Sequence, residues 1–276
     1  MKPHCAIFVL ACLVLAPVTA AAEDIGHYAD QVERIMTGQR ITDMMDVAMR
    51  LKQAGGSYQQ DLTYAPVAGT PDPEAMRVLI GVRQFDALYA AAFGKRREAA
   101  RFLKEQNDLI LKLNLKGRVD VSAVFPPELN WMVREPDNIN FDDIVAAYAD
   151  NASRYKDLTA DPAGFDVIAD ALFGFVVEGL CVTGLHAIQA EGEPGMQRLL
   201  QGMTPSLEAL AELYGSFRDS RDYSAYVDPD RFLEKGSRLG WIRQVADFIK
   251  KSDGDLTIHE ITAVAGFAAV QRRQLQ

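Results

Sequence analysis

From Ala171 to Ile188 the chain carries a single residue charged at neutral pH, Glu178. The surrounding stretch, Phe165–Gln189 (FDVIADALFGFVVEGLCVTGLHAIQ), is apolar on every side of a helical wheel. A helix with no polar face must be surrounded by other elements, so the sequence predicts a bundle built around this segment. A membrane span is the weaker reading, because Glu178 sits in mid-run and Asp170 just before it. Gly174, Gly179 and Gly184 recur every five residues. On a helix that spacing turns successive glycines by about 140°, so they form no single seam and instead open the helix to several neighbours.

The rest of the chain supplies those neighbours. Arg97–Leu113 places Ala99, Phe102, Leu103, Leu109, Ile110 and Leu113 on one helical face. Thr204-Pro205 opens a helix with inward residues Leu207, Leu210, Ala211, Tyr214 and Phe217. Trp241, Ile242, Val245, Phe248 and Ile249 mark another, and Thr257-x-x-Glu260 is a capping box for the last. Ile25–Met36, Ile41–Ala54, Glu74–Phe93 and Phe141–Tyr155 are further candidates. The nearest thing to strand alternation is Val119–Val124, which is short and flanked by loop residues. The expectation is an all-α bundle of about nine or ten helices around a buried central helix, with two long loops. It comprises one helical domain over 23–276, with its likeliest break near Asp137–Asn140.

The two long connectors are Gly55–Pro73 and Asn114–Asn140. Loops of this length inside a compact domain usually have a function or lie outside the fold. Phe125, Trp131 and Met132 in the second argue for one that folds back over the helices, as a strap filling a gap in the core or as a lid.

Residues 1–22 read as a secretory signal peptide: Lys2, the apolar run Ala6–Ala16, Pro17, and a small-residue tail ending at Ala20-Ala21-Ala22. The expected location is the periplasm or the exterior of a bacterial cell. Removal of that segment takes Cys5 and Cys12 with it and leaves Cys181 as the one thiol, so no intramolecular disulfide is expected. Formal net charge over the 276 residues is −9, and no basic run exceeds Lys95-Arg96-Arg97. Nucleic-acid binding, which needs clustered cations, is therefore not expected.

Catalytic and cofactor signatures are missing. There is no Gly-x-Ser-x-Gly, no GxGxxG and no P-loop, and His27, His186, His259 and Cys181 show no zinc-ligand spacing. Lys251–Thr262 has Lys251, Leu256 and Thr262 where a calcium loop needs an acid, a glycine and an acid, and reads as a capped helix start. Phe217–Arg231 (FRDSRDYSAYVDPDR) reads as a salt-bridged link between helices, or as a Tyr/Arg-rich partner surface.

What remains is the polar content of the apolar helix. Glu178 and His186 are eight residues apart, so they share a face with about 12 Å of rise between them. A buried carboxylate needs a partner; an arginine such as Arg77 or Arg83 is expected for Glu178, and a backbone carbonyl for His186. The sharper reading is a polar site for a ligand, lined by Glu178, His186 and Gln189 and capped by Trp131. Gly184-Leu185-His186-Ala187-Ile188-Gln189 resembles the Gly-x-His-x-x-Glu signature of the imelysin-type periplasmic proteins, with Gln189 in the glutamate's place. That resemblance implies a helical bundle concerned with iron uptake, or a peptidase-like protein. The expectation overall is an exported protein that binds a small ligand or an envelope partner without catalysis, with no cofactor and no catalytic or metal-ligating residue assigned. A cell-envelope scaffold is the alternative.

Overall fold

A computed structural model describes residues 43–65, 71–113, 125–151, 154, 158, 162–219, 238–252 and 256–275. Among them are ten α-helices with defined bounds: α1 Val47–Gln53, α2 Pro73–Ala92, α3 Arg96–Lys112, α4 Pro127–Arg134, α5 Phe141–Asn151, α6 Pro162–Gln189, α7 Pro194–Gln201, α8 Thr204–Asp219, α9 Arg238–Lys251 and α10 Ile258–Arg273. Short 3-10 turns occupy Gln60–Leu62 and Pro136–Asn138, and no strand occurs among the described residues. The fold is an all-α bundle. The signal-type segment, Ile25–Met36, Val119–Val124 and most of Phe217–Arg231 lie outside the described residues.

The helix ends follow local chemistry. Pro73 starts α2 behind Asp72, whose carboxylate accepts from the Ala75 N–H at 2.8 Å. Gly94, at φ +71°, closes α2 with bonds from Gly94 N to Ala91 O and from Lys95 N to Ala90 O, the reciprocal pair that satisfies a helix's last carbonyls. The expected capping box forms at α10: the Glu260 N–H donates to Thr257 Oγ1, and Glu260 accepts in return from the Thr257 N–H.

At the centre stands α6, 28 residues long. Its stretch Asp166–Gln189 is long and apolar enough to cross a membrane, and the whole of its apolar window is buried inside the fold. It packs most extensively against α2 and α10; α3 packs on α2, and α8 pairs with α9. The glycines of α6 serve different neighbours. A Cβ on Gly174 would sit 2.0 Å from Val78 O of α2, and one on Gly184 would sit 2.8 Å from the Ala265 Cβ of α10. Gly179 faces Phe85 of α2 and Met203. Opposite Gly174, Gly81 would bring a Cβ to 1.7 Å from Ala171 O, so the α2–α6 crossing is backbone on backbone.

Neither long connector is plain loop. The second contains α4, which packs on α3 and α5 and buries Leu129 and Met132, with Phe125 buried beside it. The first, over Gly55–Ala65, makes a strap across the central helices around the turn Gln60–Leu62, burying Leu62, Thr63 and Tyr64.

Candidate functional site

The polar side chains of the α2–α6–α10 core fall into three networks. The first surrounds Glu178, which is fully buried. Its partner is Arg272 of α10, with Nε 3.0 Å from Oε2, and not Arg77 or Arg83 as the sequence suggested. Arg77 is taken by Asp170, and Arg83 binds Asp86 at 2.9 Å and Glu105 at 2.8 Å. Asp86, also fully buried, comes from α2, and its charge acts on the Glu178 carboxyl.

Two carboxyls near each other in a dry interior each raise the cost of charging the other. Burial, opposed by Arg83, pushes Asp86 up to about 6. Burial, and then Asp86 itself, hold Glu178 well above the usual carboxylate range. Asp86 Oδ1 and both Glu178 oxygens receive no aligned donor from other groups. The ion pair with Arg272 is close but not aligned as a hydrogen bond, so these buried oxygens are left without a donor.

The same arginines hold the strap. Arg83 donates to Tyr64 O at 2.7 Å, and Arg272 donates to Leu62 O at 2.9 Å. Both guanidiniums also lie over the Tyr64 ring, 5.5 and 5.2 Å from its centroid. Cys181 is buried with its sulfur 3.6 Å from Arg272. Burial and then Glu178 push its thiol up, so it has little nucleophilic thiolate.

The second network lies two turns along α6. His186 Nε2 is 2.9 Å from the Tyr89 hydroxyl of α2, not on a backbone carbonyl. That hydroxyl accepts from the Gln59 N–H at 2.9 Å and lies 3.2 Å from Ser57 O. The hydroxyl has one proton for Ser57 O and the imidazole, and the tautomer of His186 sets which of the two rings donates. Burial lowers the histidine below its ordinary value, which keeps it neutral. Gln189 forms a paired amide contact with Gln59, and Tyr58 packs its ring 5.2 Å from Tyr89.

Glu178 and His186 therefore share a helix and a strap but belong to separate networks, joined through Asp86 and Tyr89 on α2. Trp131 stands half-exposed on α4, whose neighbours are α3 and α5; the element that covers α6 is the first connector, not the second. The third network is structural: buried Asp170 binds Arg77 at 2.7 Å and Arg238 of α9, which also reaches Glu74. Among the described residues, no group of three or more His, Cys, Asp and Glu side chains is placed to hold a metal ion.

Sequence reasoning missed Asp86, Tyr89, Gln59, Tyr64 and Arg272. One signal was available: Arg83 and Asp86 stand three apart and are the two charged residues of the run Val78–Ala92, a spacing that pairs on a helix. Arg272 gave none, being one of two adjacent arginines in a last helical turn, where cations are common.

No family model matches this chain, and no curated protein and no solved structure matches it.

Proposed function

We propose that this is an exported protein that binds a small ligand or a partner protein without catalysing a reaction, and that binding involves the Ser57–Tyr64 strap and the individual polar side chains of α2 and α6 beneath it. The observation that carries the reading is the mode of attachment. Along its length the strap is held by polar groups of α2, α6 and α10: the buried Tyr89 and Arg83, the part-buried Arg272 and the exposed Gln189. Buried charges in a core are costly, and hydrophobic residues of similar volume would stabilise the same fold at least as well. Their placement under one segment fits a site in which polar groups exchange strap contacts for ligand contacts. The thiol of Cys181 is not activated and the imidazole of His186 is engaged with Tyr89, which supports binding over nucleophilic chemistry.

The test is native mass spectrometry with metal analysis on protein purified from its own compartment, together with sequencing of its mature N-terminus. A reproducible added mass or co-purifying protein that is lost in Tyr89→Phe and Gln189→Ala, with a start at Glu23, supports the proposal. A clean apo mass with no captured partner, or an uncleaved N-terminus in the cytoplasm, refutes it.

A further inference from the structure

The strap and the carboxyl pair share their arginines, and this links them. Arg83 Nη1 donates both to the strap carbonyl of Tyr64 and to Asp86, while Arg272 sets Nη2 on Leu62 O and Nε beside Glu178. Tyr64, a strap residue, seals the site with a ring that is 2% exposed. We propose that closing the strap takes up one proton, held between Asp86 and Glu178, so that the Gly55–Ala65 segment is a proton-linked latch that is shut at acidic to neutral pH and loosens as pH rises.

The physical cause is the change in surroundings on opening. With the strap in place the two acids face each other out of water, and the pair keeps a proton. With the strap lifted, water reaches the site, each carboxyl returns toward its ordinary value, and the proton leaves to solvent. Closure and proton binding are thus the same equilibrium seen from two sides. This holds whether or not the strap covers a ligand site.

The charged and titratable groups around the pair are few. Arg83 faces it from α2 and Arg272 from α10; Cys181 lies beside it on α6, and Tyr64 lies over it from the strap. Glu105 of α3 reaches Arg83 and is itself bound by Arg101. Tyr64 is pushed up to about 12 and burial raises the thiol. At the other end of the strap, His186 acts with the opposite sign: burial lowers it, so its protonation in acid favours the open strap. Its effect is confined below its ordinary value of about 6.5 and does not enter the alkaline range.

The test is hydrogen exchange of peptides spanning residues 55–65 between pH 6 and pH 9, corrected for the intrinsic pH dependence of amide exchange. In the wild type, protection of the strap should fall by up to about tenfold per pH unit once the pair titrates. In Glu178→Gln, which leaves Asp86 with two arginines and no acidic neighbour, protection should be independent of pH over that range. His186→Gln should keep the wild-type slope. A flat wild-type profile overturns the proposal, as does an unchanged slope in Glu178→Gln. Infrared spectroscopy of the wild type gives a second readout that needs no variant. A protonated-carboxyl band should be present at pH 7 and disappear in step with strap protection; its absence at pH 7 also overturns the proposal.

Discussion

The contact between α2 and α6 gives the most exacting test of the fold. Alanine favours a helix over glycine by about 1 kcal/mol, so on helix propensity alone Gly81→Ala and Gly174→Ala should both stabilise the protein. The tertiary structure reverses the sign. A methyl group on Gly81 would lie 1.7 Å from Ala171 O and 2.6 Å from its carbonyl carbon; one on Gly174 would lie 2.0 Å from Val78 O. Ordinary carbon–oxygen contact is well over 3 Å, so the two helices must separate by more than 1 Å to admit either methyl. The obstructing atoms are main chain and cannot rotate away. Overpacking in a core typically costs 1–3 kcal/mol, and here the shift also loosens the largest helix–helix contact. We expect a loss of about 3 kcal/mol or more for each substitution. Gly266→Ala is the matched control: Gly266 also lies inside a helix, α10, but nothing stands within 4 Å of an added Cβ. It should gain up to about 1 kcal/mol. Urea unfolding followed by far-UV circular dichroism measures all three. Losses under about 1 kcal/mol for Gly81→Ala and Gly174→Ala would refute a backbone-on-backbone crossing. The double variant should cost less than the sum, because one separation relieves both clashes.

Three further outcomes are expected. Asp170→Asn leaves Arg77 and Arg238 facing a neutral amide in the core and should cost about 3–5 kcal/mol in the same unfolding assay, whereas replacing the exposed Asp137 should have little effect. Thr257→Ala removes the side-chain half of the α10 capping box and should cost about 1 kcal/mol, with amide exchange rising first at Glu260 and Ile261. His186 is lowered by burial, so the unfolded chain binds its proton more readily. The stability this residue contributes is complete above about pH 6.5 and is lost as pH falls below that value. The difference between wild type and His186→Gln, measured by urea unfolding from pH 7.5 to 5, should therefore shrink toward acid; a difference that does not change with pH would contradict a buried neutral imidazole.

The residues that determined architecture did so through local patterns. An apolar circumference from Ala171 to Ile188 placed α6 at the centre because no face of it can meet water, whatever its neighbours are. Thr257-x-x-Glu260 marked a helix start because a cap is made within a single turn. The glycines of α6, spaced so that each looks in a new direction, announced several close neighbours without naming them. α4, by contrast, was hidden inside Asn114–Asn140 by its prolines, although Pro127 opens the helix and Pro136 follows its end, the positions at which proline is tolerated.

The candidate site was legible only as an obligation. Glu178, alone in an apolar helix, had to have partners, and His186 had to have one too. Which groups answered was decided by the fold. Arg272 reaches Glu178 from 94 positions along the chain because α10 packs beside α6, and Asp86 reaches it because α2 crosses at Gly81 and Gly174. Tyr89, one turn beyond Asp86, is then carried to His186. A helix pair fixes such meetings by crossing angle and axial offset, and both depend on the shapes of two packed surfaces. Periodicity within one sequence carries neither. The strap follows the same rule: Leu62 and Tyr64 accept the arginines' hydrogen bonds through backbone carbonyls, and a carbonyl is present at every residue. Its place over the carboxyl pair is a property of the tertiary structure alone.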